Sequence, residues 1–219
     1  MNRYITPNKR VVEFGSGAGF SATYLATNDL VLTDIEIRPW IDLVADATTP
    51  PFRPESIDII ICNQVLHHIP SPARFFESAE TVLRPGGFIL INEPETSFLL
   101  RLVLRVMRHE GWSYDVDPFD RDELCVDGDD PWGGNAAVAN LLFSNPAEFE
   151  AKFPQFSVVE NALTECFIFL LSGGVSTTTL SVPLPNRARP LLKWLDRALI
   201  GALPGVFALG RRVALEKRV

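Results

Sequence analysis

The chemically densest run in the chain is Glu13-Phe14-Gly15-Ser16-Gly17-Ala18-Gly19, which completes and follows the apolar stretch 10–14. Glycines there permit a tight turn and let a ligand approach the backbone with no Cβ in the way. A helix starting just afterwards would point free N–H groups at an anionic part of that ligand. No lysine follows the glycines, which excludes a phosphate-binding P-loop. Gly17-x-Gly19-x-x-Ala22 does fit the G-x-G-x-x-G/A dinucleotide pattern, but in a register that begins several residues past the strand end. Asp34 ends the next apolar run, and a carboxylate there can accept both hydroxyls of a ribose; a turn aspartate is the plain alternative. Asp46, followed by Ala47, ends a third short run and can accept from an adenine amino group, or simply cap its turn. His67 and His68 follow a fourth run, and histidine is the side chain that exchanges a proton near neutral pH.

These residues need a scaffold that brings strand ends together, and the first half of the chain has the required pattern. Short apolar runs alternate with helical ones, the signature of βαβ units and a parallel sheet. Strands are expected over 10–14, 30–33, 43–45 and 57–61. The last is a β-branched run without polar alternation, as in a strand buried on both faces. A helix is expected from about Phe20 to Thr27. Ser71 and Pro72 supply an N-cap and a first helical position. Phe75, Phe76, Ala79, Val82 and Leu83 then fall on one face. Pro85-Gly86-Gly87 ends that helix before a fifth strand, 88–91. A helix from 96 to about 108, closing strands 156–160 and 213–216, and an apolar helix 191–203 broken at Pro204 complete the pattern. The fold class expected is a doubly wound α/β protein with a mostly parallel seven-stranded sheet, forming one domain over 1–219.

Composition sets outer limits. Of 219 residues, 47% are hydrophobic and 21% charged, which suits a folded core. A net charge of −7 disfavours a nucleic-acid partner, whose phosphates need a basic face. Cys62, Cys125 and Cys166 lie far apart, with no C-x-x-C pair. Reduced thiols, no metal site and a cytoplasmic location are the expectation. No secretory signal opens the chain and no apolar run is long enough to span a membrane.

The set E-F-G-S-G-A-G, Asp34, A-D-A at 45–47 and L-R-P-G-G at 83–87 resembles the class I S-adenosylmethionine-dependent methyltransferases. The likeness covers about residues 9 to 95. It is closest to the small-molecule and lipid-acceptor group that includes the ubiquinone-biosynthesis type. The resemblance implies S-adenosylmethionine as cofactor, with Glu13, Gly15, Ser16, Gly17 and Gly19 around its methionine part. It implies Asp34 on the ribose hydroxyls, Ile35 against the adenine face, and Asp46 with Ala47 at the adenine edge. Asn63, Gln64 and Val65 match the loop whose backbone approaches the cofactor. His67 and His68 then follow the fourth strand near the methyl group, as candidates for a catalytic base.

In that family, helices before the first strand often cover the site, whereas about eight residues precede it here. Cover is therefore expected from an inserted lid over 96–150, or from a second copy or partner chain. The acceptor is expected to be a small or lipid-linked molecule, with O-, C- and carboxyl-methylation all open. Arg101, Arg105 and Arg108 fall on one helix face and read as a solvated strip opposite Leu99, Val103 and Val106. His109-Glu110, Trp112 and the run 128–135 suit a binding loop, and Asp122, Asp129 and Asp130 read as a solvated acidic stretch. The apolar segment 191–209, flanked by Lys193, Arg197, Arg211 and Arg212, reads as core packing, with peripheral membrane contact as its alternative. Two rival functions share these features: an NAD(P)-dependent oxidoreductase, which would need a proton donor such as Tyr-x-x-x-Lys, and a non-catalytic methyltransferase-like binding subunit.

Overall fold

In a computed structural model, the chain is described over residues 3–171, apart from 26, 109, 128, 131 and 132, together with 185 and 187–219. His109, Gly128, Pro131 and Trp132, part of the expected binding loop, lie outside the described residues. Seven strands form one sheet in the order β3-β2-β1-β4-β5-β7-β6. They are β1 Arg10–Phe14, β2 Asp29–Asp34, β3 Leu43–Val44, β4 Ile57–Asn63, β5 Leu83–Pro94, β6 Phe156–Thr164 and β7 Gly210–Lys217. The first five pair in parallel, and β7 runs antiparallel between β5 and β6. An antiparallel β7 in that place departs from the 3-2-1-4-5-6 order of dinucleotide-binding sheets. Strand order reverses between β1 and β4, so the loops after these strands diverge and leave a crevice at the carboxyl edge.

The β-branched run behaves as its sequence requires. Ile57, Ile59, Ile60, Ile61 and Cys62 are almost wholly buried, because helices and loops cover both faces of β4. On one face lies α1, Pro72–Val82. Its N-cap Ser71 accepts from the Arg74 backbone, and Phe75, Phe76, Ala79 and Val82 turn inward. Phe76 packs on Phe143, Phe149, Phe153 and Phe156, with ring centroids 5.0–6.4 Å apart. Aromatic pairs in this range add to the area they bury.

Four expectations need correction. The helix expected over 20–27 is a single 3-10 turn, Phe20–Thr23. Its apolar residues have little to pack against: Phe20 is 72% exposed. Pro85-Gly86-Gly87 does not separate helix from strand. It is absorbed at the start of β5, where pairing with β4 shifts register and Gly87 passes close to the Asp58 and Arg84 carbonyls. The 96–150 region holds the expected helix, as α2 Phe98–Met107, and two helices that were not expected, α3 Val138–Phe143 and α4 Pro146–Lys152. Val138, Leu142, Phe143 and Phe149 from these helices belong to the main core. Finally, α2 buries Leu100 and Leu104, while Val106 is 75% exposed. The chain then forms α5 Phe167–Leu171, α6 Arg189–Ala202 and, beyond the expected break, α7 Pro204–Phe207. Among the described residues, no helix is long and apolar enough to cross a membrane.

Candidate active site

The glycine turn is held from three sides. Ser16 donates its backbone N–H to the Thr33 carbonyl (2.9 Å), tying the turn to β2. Asp34 Oδ2 accepts the Gly17 N–H at 2.9 Å, and Oδ1 accepts the Glu36 N–H at 3.1 Å. Trp40 Nε1 donates to the Gly17 carbonyl at 2.8 Å. Gly15 has φ +63°, and a Cβ there would fall 2.2 Å from Val65 Cγ2. Gly17 has φ +49° with nothing within 4 Å of where its Cβ would be. The turn thus presses one glycine against the β4 loop and leaves another open to space. Gly19, also left-handed, caps the single helical turn beneath the Trp40 ring.

Beside this turn lies a cavity of about 230 Å³ at the sheet's crossover. Gly15, Gly17, Asp34, Ile35, Asp46, Ala47, Gln64, Val65 and His68, named from the sequence, line it. Glu13, Ser16, Gly19, Asn63 and His67 do not. Glu13 sits behind the turn, where Oε1 accepts from the Ser21 hydroxyl and burial pushes the carboxyl pKa up. Its Oε2 is buried without a hydrogen-bond partner. Ser16 donates to the Glu13 carbonyl, and Asn63 accepts from Asn92. Sequence reading missed Phe14, Glu36, Arg38, Ala45, Ile69 and Pro70 in the cavity wall. It also missed Trp40, in the loop 35–42, whose only local signal was its type.

The residues fit a nucleoside ligand bearing a ribose and a flat base. Each Asp34 oxygen uses one lone pair on the backbone and keeps capacity for a hydroxyl. Ile35 and Val65 offer apolar surface on the same cavity, and open space above Gly17 is what backbone approach requires.

The two histidines have different environments. His67 is 2% exposed. Its Nδ1 pairs with Glu93 Oε2, and its Nε2 lies 3.1 Å from Glu110 Oε2. Burial opposes its charge, but the two carboxylates overcome this and raise its pKa to about 10. His67 is therefore an imidazolium with both ring nitrogens engaged, which is incompatible with the expected role of base. His68 lines the cavity, and its Nδ1 donates to the Gly133 carbonyl at 3.0 Å. Burial and the adjacent His67 cation lower its pKa, so it is neutral at pH 7. The ligand atoms of His67, His68 and Glu110 lie within 4.8 Å of one another, a spacing that could take a divalent cation. Ion pairing between His67 and Glu110 already satisfies much of that cluster.

Glu93 is the residue that sequence reading most clearly overlooked. It lies one residue before the end of β5, fully buried, and its carboxylate accepts from the backbones of Val65 (2.9 Å), Leu66 (2.8 Å) and His67 (3.4 Å). One side chain thereby fixes the loop that carries Gln64, Val65 and His68 into the cavity. An acid inside the apolar run Phe88-Ile-Leu-Ile-Asn-Glu was the available signal.

The expected lid is not found over the cavity: no described residue of 96–150 lines it. The segment packs behind the histidines instead. Asn135 donates to the His67 carbonyl and Cys125 to the Pro70 carbonyl, at 2.9 and 2.8 Å. Asn135 Oδ1 also accepts from Ser113 and Ala137, closing the segment on itself.

A family described as a methyltransferase domain matches residues 12–91. A ubiquinone biosynthesis O-methyltransferase from Burkholderia thailandensis is 26% identical over 117 residues, covering 44% of this chain and 50% of that protein. The chain thus spans about half the length of the curated relatives it matches. An S-adenosylmethionine-dependent methyltransferase from Archaeoglobus fulgidus superposes with a TM-score of 0.56 at 12% identity, over 99% of this chain and 89% of that one. The trans-methyltransferase CalH, solved with SAH, gives a TM-score of 0.51 at 16% identity, over 97% and 52%.

Proposed function

We propose that the chain is a class I S-adenosylmethionine-dependent methyltransferase that transfers a methyl group from that cofactor to a small-molecule or lipid-linked acceptor, a reading that the family match, the curated relatives and the fold support. The observation that carries this reading is the shared cavity: Gly17, Asp34, Ile35, Asp46 and Ala47 line it together with Val65 and His68. The curated relatives, named for ubiquinone biosynthesis, support an acceptor of small-molecule type.

The bound cofactor supplies an electrophilic methyl on its sulfonium. Gly17 admits the ligand to the backbone, Asp34 binds the ribose hydroxyls, and Ile35 with Ala47 flanks the base. Transfer needs in-line alignment and exclusion of water more than a strong base. His68, neutral and at the cavity wall, would accept an acceptor proton at Nε2, the ring nitrogen not bonded to Gly133, with Glu110 Oε1 3.6 Å away to stabilise the charge formed. His67 acts indirectly: clamped between Glu93 and Glu110, it holds its neighbour and the loop in place.

Calorimetry with S-adenosylmethionine, S-adenosylhomocysteine and the nicotinamide dinucleotides tests the reading. Binding of the first two alone is expected. Asp34→Ala should weaken it by about 2–4 kcal/mol, through loss of charge-assisted hydrogen bonds. Preference for a nicotinamide dinucleotide, or an unchanged Kd in folded Asp34→Ala, would overturn it.

A further inference from the structure

Helices α2 and α6 carry more apolar surface than the protein core covers. α6 runs for fourteen residues through Leu191, Leu192, Trp194, Leu195, Leu199 and Ile200, yet its only buried residue is Asp196. Leu191 and Trp194 are 65% and 61% exposed. On α2, Phe98, Leu102 and Val106 recur every four residues and stand 62%, 48% and 75% exposed. A helix normally buries its apolar stripe against a neighbour. Here α7 packs against both helices, and Phe169 and Leu170 of α5 pack with the buried side of α2.

The exposed charges on these helices have one sign. Arg101 and Arg105 on α2, and Arg189, Lys193 and Arg197 on α6, are exposed. α2 has no acid, and the single acid of α6, Asp196, is buried and accepts the backbone N–H groups of Cys166, Phe167 and Ile168. In a chain with 27 acidic and 20 basic residues, these two helices expose only apolar and cationic groups. They also share an edge with the cavity. Thr164, at the end of β6, pairs with Gly210, which pairs with Pro94 at the end of β5. The helices that follow those strand ends therefore lie at the carboxyl edge of the sheet.

We propose that the α2–α6 face docks onto an anionic lipid bilayer, with its helices in the interfacial plane. Leucine, phenylalanine and tryptophan would enter the boundary of acyl chains and headgroups, while arginine and lysine meet lipid phosphates. At fourteen residues, α6 is too short to span a bilayer. Charge complementarity selects this occupant: the face carries cations and no exposed anion. The proposal does not depend on methyl transfer.

Flotation of the full chain with vesicles tests it, at salt of about 0.15 M, where surface charges are partly screened. Equimolar phosphatidylglycerol and phosphatidylcholine should carry the protein, and pure phosphatidylcholine should bind it at least about tenfold more weakly. Leu191→Ser with Trp194→Ser, and separately Arg101→Gln, Arg105→Gln, Lys193→Gln and Arg197→Gln together, should each cost at least about tenfold in partitioning. Far-ultraviolet dichroism and cofactor calorimetry on the same variants verify that they fold, and the substitutions avoid the cavity. Absence of the wild-type chain from anionic vesicles would overturn the proposal. So would equal partitioning of wild type and both variants, or a self-association that Leu191→Ser with Trp194→Ser abolishes in place of lipid binding.

Discussion

Helices α1 and α6 are both rich in large apolar residues, but they have opposite surroundings. In α1, six of eleven residues are buried, and Phe75 and Phe76 join an aromatic cluster fed by α3, α4 and β6. In α6, one of fourteen is buried, and that one is an aspartate serving as a remote cap for α5. Hydrophobic content alone therefore does not say whether a helix supports the core. What decides is whether the sheet offers a complementary face. α1 crosses back over β4 and β5, whereas α6 connects β6 to β7 at the edge of the sheet.

The contrast is tested most strongly at Phe76. Phe76→Ala should destabilise the protein by about 3–5 kcal/mol, because it removes the ring at the centre of the cluster and leaves a cavity. Urea unfolding measures this, and a loss below about 1 kcal/mol would mean the cluster is not the core.

Next comes the buried polar knot beneath the active-site loop, which should behave as core although it is charged. His67→Gln removes the cation that lies between Glu93 and Glu110, and breaking a buried pair in this way costs about 3–5 kcal/mol at its fullest. The cost depends on pH with a fixed sign. The folded pKa of about 10 lies above the unfolded value of about 6.5. The stabilisation is therefore complete below about pH 6.5 and lost as pH rises through 10. Unfolding curves for wild type and His67→Gln should lie furthest apart near pH 6 and converge toward pH 10.5. A gap that widens with pH would mean that His67 is neutral in the folded protein.

The smallest effect is expected at Trp194. Although Phe76→Ala and Trp194→Ser both delete an aromatic ring, the latter should change stability by no more than about 0.5 kcal/mol. A loss comparable to that of Phe76→Ala would show that α6 is a core helix and would abolish the contrast.

Features readable along the chain were those with local physical causes. The isoleucine-rich run 57–61, interrupted only by Asp58, read as a doubly buried strand from its β-branched side chains. Ser71-Pro72 could start a helix because capping is decided within a few residues. Glycines at 15 and 17 and the acid at 34 stood out by their types and their places after strands, and all three line the cavity. The single 3-10 turn after Gly19 was not readable, since helical propensity at 20–27 yields to the lack of a surface to pack on.

The division of labour between His67 and His68 was decided by tertiary structure. Adjacent in sequence and identical in type, they differ because Glu93 arrives from β5 and Glu110 from beyond α2, placing a carboxylate at each nitrogen of His67. His68 lines the cavity, with Nδ1 on the Gly133 carbonyl and Nε2 at a looser 3.6 Å from Glu110. The exposure of α6 was settled in the same way, by where the sheet ends. Local sequence sets backbone conformation through sterics and hydrogen bonds between near neighbours. Charge state and burial depend on groups brought together across tens of residues, and only the folded chain determines which groups those are.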